Sequence, residues 1–71
     1  MTEELLKERK EAMLALINDP TYVPMKIKEL AMLLDVPREK RDELKEVLDA
    51  LVAEGKVGIS KRGKYGKPEA F

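Results

Sequence analysis

Five cations crowd the end of this 71-residue chain, namely Lys56, Lys61, Arg62, Lys64 and Lys67, with Tyr65 set among the last of them. Cations beside an aromatic ring are what single-stranded RNA modules use, charge for the phosphates and a ring face for a base. Residues 56–71 hold these five against Glu69 alone, a net +4, while residues 1–55 hold nine Lys and Arg against thirteen Asp and Glu, a net −4. The overall charge of zero hides this division, which points to a polyanion-binding element. It equally fits a basic edge that keeps a small domain soluble and its strands from pairing with others.

A second grouping is acidic. Stepped at about 100° per residue, Glu39, Asp42, Glu46 and Asp49 fall on one outward stripe of a helix. Arg38 and Lys45 each stand four residues before an aspartate with which they can pair. Such a row repels phosphates. It fits a contact with a basic protein surface or, more simply, a solvated helix face. A cation is poorly served by carboxylates in a line, since Ca²⁺ takes about six to eight oxygens. With no His and no Cys there is no thiolate or imidazole metal site and no disulfide. Nucleophilic catalysis would rest on Thr2, Thr21 or Ser60, none with a base beside it in sequence. The inventory predicts neither an active site nor a cofactor in this chain.

These groups must be carried by short elements. Thr2 can cap a first helix running to about Asn18, with Leu5, Leu6, Met13, Leu16 and Ile17 inward and Pro20 closing it. Tyr22-Val23-Pro24-Met25 reads as a small extended piece, which Pro24 confines to a sheet edge or a strand end. A second helix spans about Ile27 to Leu34, and Asp35 follows where a left-handed residue is needed. Pro37 opens a third helix whose Leu44, Val47, Leu48, Leu51 and Val52 form an apolar stripe, ending at Gly55. The third helix is predicted to equal or exceed the first in length. Met13 belongs to the core, whereas Met32 falls away from the apolar face and suits a protein contact.

Val57 and Ile59 alternate with Gly58 and Ser60, then Lys61-Arg62-Gly63-Lys64 makes a turn into a returning strand. With Arg62-Gly63 at the centre of a two-residue turn, Lys61 faces Lys64, Ser60 faces Tyr65, Ile59 faces Gly66 and Gly58 faces Lys67. Val57 and Ile59 then point to the core, and Tyr65 and Lys67 lie on the outer face. The order helix, short strand, helix, tight turn, helix, hairpin is that of a winged helix-turn-helix. The predicted class is therefore α+β, mainly helical, in one domain spanning 1–71 with an ordered core of about 2–68.

Two stretches carry a family resemblance: Tyr22-Val23-Pro24-Met25 with Lys28-Glu29-Leu30-Ala31 and Leu33-Leu34, and Glu54-Gly55-Lys56-Val57 with Lys61-Arg62-Gly63-Lys64-Tyr65-Gly66. Over roughly residues 12–68 the chain resembles the N-terminal domain of ribonuclease R-type 3′-5′ exoribonucleases. It departs from that pattern at Lys26, where a Ser or Thr often caps the second helix, and at Asp35, where Gly often makes the turn. The resemblance implies an excised N-terminal module of a larger hydrolase, a reading with which the end at Phe71 is consistent. The parent's catalytic domain would use clustered Asp residues and Mg²⁺, neither of which this module supplies.

The expected function is an RNA-binding accessory module that contacts single-stranded or structured RNA, weakly and with strong salt dependence. Lys56, Lys61, Arg62, Lys64, Tyr65 and Lys67 would carry it, with other domains of the parent enzyme as further partners. The alternatives are a protein-interaction module docking through the acidic stripe or Met32, and a small DNA-binding regulator, which that stripe disfavours. No apolar run reaches the roughly 18 residues of a membrane span. The N-terminus opens on Glu3 and Glu4 rather than on a basic signal region, so a cytoplasmic domain without membrane contact is expected.

Overall fold

The computed structural model describes residues 2–70. Three helices, α1 (Glu3–Ile17), α2 (Ile27–Leu33) and α3 (Arg41–Ala53), are joined by three short strands, β1 (Met25–Lys26), β2 (Gly58–Ile59) and β3 (Lys64–Gly66). The chain is mainly helical, and its sheet is antiparallel in the order β1-β3-β2. Among the described residues, no helix is long and apolar enough to cross a membrane.

Local chemistry sets the helix ends. The Thr2 hydroxyl accepts from the Leu5 amide at 3.2 Å, and Glu3 and Glu4 occupy the first turn of α1, where the helix dipole favours carboxylates. Lys26 precedes α2 without an acceptor to offer the next amides; Glu29 instead reaches back to accept from the Lys26 amide at 3.4 Å. Asp35 closes α2 at φ 55°, so that the Val36 amide reaches the Ala31 carbonyl at 2.8 Å and the Asp35 amide reaches Met32. Gly55, at φ 75°, closes α3 with the same pair of bonds, from Lys56 to Leu51 and from Gly55 to Val52. Both are Schellman closures, which need a left-handed residue at that one position. Glycine adopts it without steric cost, and Asp bears it better than most.

α3 is shorter than the sequence predicts, 13 residues against 15 in α1. Pro37 is followed by a 3₁₀ turn, Arg38–Lys40, and the α-helical winding begins only at Arg41. This turn also carries Arg38 and Glu39 off the α-helix. The expected Arg38–Asp42 pair is accordingly not among the ion pairs of the described residues, whereas Lys45–Asp49 forms at 2.9 Å.

The core lies where the three helices meet the sheet. Ile17, Leu30, Leu48 and Leu51 are fully buried, with Met13, Ala31, Leu44, Val47, Val57 and Tyr65 around them. Arg9 to Glu43 at 3.2 Å, and Lys10 to Glu54, tie α1 to α3 and its end on the outside. A core this small rarely supplies more than about 3–5 kcal/mol. Leu48→Ala should remove about 2–5 kcal/mol and leave much of the chain unfolded in water, as read by urea titration with circular dichroism. Met32→Ala, at an exposed site, should shift stability by no more than about 0.5 kcal/mol.

Candidate nucleic-acid interface

The hairpin register differs by one residue from the two-residue turn expected. The Gly63 amide donates to the Ser60 carbonyl at 2.9 Å and the Ser60 amide to the Lys64 carbonyl at 2.8 Å, so Lys61, Arg62 and Gly63 form a three-residue loop. Gly63, at φ 81°, supplies the left-handed residue with which such a loop rejoins the strand. The Ser60 hydroxyl accepts from the Arg62 amide at 3.3 Å and the Lys64 amide at 3.1 Å, which closes the loop from inside. Ile59 therefore pairs with Tyr65, and Gly58 with Gly66. A slip of one residue turns every side chain of the returning strand to the other face.

Tyr65 is thus not on the outer face. It is 5 % exposed and belongs to the core, in a row with Met25 and Ile59 across the sheet. A ring so placed offers no face to a base. Burial pushes its phenol pKa up, with Asp49 adding to the rise and Lys45 opposing it, which places the ring's polar end in the field of that ion pair on α3. Ile59, expected inside with Val57, sits on an edge strand and is half exposed. Lys67 does not lie free on the outer face either. It is partly buried and close enough to Asp19 to help lower that carboxyl's pKa, after the larger effect of the Thr21 hydrogen bonds.

Tyr22 secures this arrangement. Asp19 starts a turn closed by the Tyr22 amide at 3.0 Å, with Pro20 in the second position that its fixed φ suits. The Asp19 carboxylate accepts from the Thr21 amide at 2.8 Å and the Thr21 hydroxyl at 2.6 Å. Tyr22, delivered by this turn, donates its phenolic hydrogen to the Tyr65 carbonyl at 2.7 Å. The small strand was legible as an edge element, but not its pairing with β3, from which this bond follows.

What remains on the outer face is a cationic row that the sequence reading did not assemble. Lys26 pairs directly with Lys64, and the Ser60–Lys64 bond continues the row to Ser60, just after β2. Because side chains alternate along a strand, this row points away from the Tyr65 row. Lys61 and Arg62 extend it, exposed, at the loop. Among the described residues none of Lys26, Lys61, Arg62 and Lys64 takes part in an ion pair, whereas Lys10 and Lys56 share Glu54 and Lys45 holds Asp49. Lys56, expected at the interface, is thus engaged at 3.3 Å by Glu54 beyond the end of α3. Lys26 is the residue that sequence reasoning missed, because only strand pairing brings it beside Lys64.

Two other surfaces bear on the alternatives. Asp42, Glu46 and Asp49 are exposed along α3, with Glu39 on the turn before it. Among the described residues no three carboxylates converge as a metal site. Met32 is 73 % exposed and continues into exposed Leu33 and Leu34. Leu34, Val36 and Pro37 border an apolar pocket of about 250 Å³ floored by Met13, Leu44 and Val47. Comparison with protein-family models and with curated protein sequences finds no match.

Burial also raises the Tyr22 pKa, the nearby Met25 backbone opposing the rise and Glu29 adding to it. For both tyrosines the fold favours the protonated phenol. Their contribution is whole below the unfolded value of about 10 and is lost as pH climbs through the raised folded values. Tyr22→Phe should cost about 0.5–1.5 kcal/mol at neutral pH and shrink the loss of stability above pH 10. Urea midpoints of both proteins across that range check this, and coincident midpoints at every pH would remove the anchoring role.

Proposed function

We propose that the domain is a winged helix-turn-helix that binds the RNA backbone through its sheet, as the N-terminal accessory module of a ribonuclease R-like 3′-5′ exoribonuclease. The element order supports the winged-helix reading: helix, strand, two helices joined by a tight turn, then a hairpin whose second strand lies between the other two. One observation carries the binding role. Strand pairing and the loop bring Lys26, Lys61, Arg62 and Lys64 together on one surface, and among the described residues none of the four is in an ion pair.

The opposition of Lys26 and Lys64 sharpens this. Residues paired across an antiparallel ladder have Cα atoms about 4.5–5.5 Å apart, and like charges so opposed are destabilising. A phosphate between the two ammonium groups offsets that repulsion and releases condensed counterions. The acidic face of α3 makes the usual recognition helix repellent to phosphate, so the sheet, not α3, meets the nucleic acid. The exoribonuclease context rests on the resemblance alone, and the coding sequence after Phe71 tests it. A reading frame that continues into a nuclease domain supports the context, and a stop codon removes it.

The protein-docking alternative is supported by the exposed Met32-Leu33-Leu34 run. One titration separates the two. In fluorescence anisotropy with labelled RNA, Kd should fall in the range of about 10⁻⁴–10⁻⁶ M typical of non-specific binding at physiological salt. Replacing Lys26, Lys61, Arg62 and Lys64 together by Ala should abolish most of that affinity and flatten its salt dependence. Glu46→Gln with Asp49→Asn should leave binding unchanged or slightly tighter. RNA-induced amide shifts centred on Met32 or on Asp42 and Asp49, with Lys61 to Tyr65 silent, would favour docking through the helices.

A further inference from the structure

Resting on the nucleic-acid reading of this surface, we infer that its ligand is double-helical RNA, held by phosphates and ribose hydroxyls, rather than a single strand. Single-strand modules join a cationic groove to aromatic platforms, and each stacked base contributes about 1–3 kcal/mol. This surface has the cations without the platform. Tyr65 is in the core, and Tyr22 is partly buried with its hydroxyl committed to the Tyr65 carbonyl. No other aromatic residue lies among residues 2–70. Among the described residues, no aromatic face is open on this surface to an unstacked base.

A duplex asks for what the surface does offer. Its bases are already stacked, and its phosphates stand at regular positions that cations set along a strand row can meet. Lys26 and Lys64 are set side by side by the β1–β3 ladder, and Lys61 and Arg62 project from a loop that the Ser60 hydroxyl closes. Backbone pairing and the closed loop fix where these side chains start, and the long side chains themselves are ordered on binding. Ser60 accepts both loop amides, which leaves its own O–H hydrogen free to donate. Being next to Lys64 in the row, it is suited to a phosphate oxygen or a 2′-hydroxyl. Double-stranded RNA is recognised in this way, by shape and by backbone and 2′-hydroxyl contacts, without base readout.

The test compares a 5′-labelled RNA duplex of about 16 base pairs, the span of a double-stranded-RNA module, with its own labelled strand at matched salt. The duplex should bind several-fold more tightly, and a duplex of unrelated sequence should bind equally well. With all four cations engaged, duplex affinity should fall about a hundredfold between 50 and 200 mM salt, at about −0.9 in slope per contact. Lys26→Ala with Lys64→Ala, which alters side chains outside the core, should remove the duplex preference while the circular dichroism spectrum stays unchanged. A single strand that binds as tightly as the duplex, or more tightly, overturns this inference and leaves the RNA-binding function standing. Failure of both RNAs to bind overturns the function and this inference together.

Discussion

The Tyr22 hydroxyl meets the Tyr65 carbonyl at 2.7 Å, and the Tyr65 ring lies in the core under α3. One residue is thus held twice, by its side chain among the helices and by its backbone to the segment that follows α1. Because β3 is the central strand, fixing Tyr65 fixes its neighbours on both sides, Met25 and Ile59. Alternation then leaves Lys26, Lys64 and Ser60 no choice of face. The chemistry of the outer surface follows from where a single buried aromatic residue sits.

Charge is distributed by the same geometry. Around α1 and α3, Arg9 pairs with Glu43, Lys10 and Lys56 with Glu54, and Lys45 with Asp49. Exposed pairs of this kind contribute about 0–1 kcal/mol each, so their main effect is on the field. They cancel part of the positive charge around α1 and α3, where carboxylates are in excess, whereas the cations at the sheet are not in ion pairs among the described residues. A neutral protein becomes strongly polarised, and a polyanion approaching it meets attraction on one side and repulsion along α3.

The apolar surface is distributed less evenly. Met32, Leu33 and Leu34 are exposed at the end of α2, where the Schellman closure at Asp35 turns the chain toward Pro37. That closure satisfies the α2 carbonyls with the amides of Asp35 and Val36 and costs the domain coverage of its last apolar side chains. The two surfaces are accordingly unlike in chemistry, one cationic and built on a sheet, the other apolar and built on a turn.

By itself the sequence determined the order of the elements and most of their ends, though not the 3₁₀ turn that delays α3 to Arg41. Thr2, Asp35, Gly55 and Gly63 act through bonds to residues within a few positions, so their roles are legible without a fold. Most core residues of α1, α2 and α3 are legible for the same reason, because helical periodicity is a local property; Leu5, expected inward, lies in the first turn of α1 and stays exposed. Tertiary structure alone decided which residues share a surface. The Lys61-Arg62-Gly63 loop has three residues rather than the two expected, and with that register the Tyr65 ring is buried and its carbonyl meets Tyr22. That one-residue difference moved Tyr65 from the outer face to the core and, through β1 pairing, put Lys26 beside Lys64. Pairing between residues 26 and 64 leaves no periodic trace in a chain, since its energy comes from burial and hydrogen bonds formed only when distant segments meet.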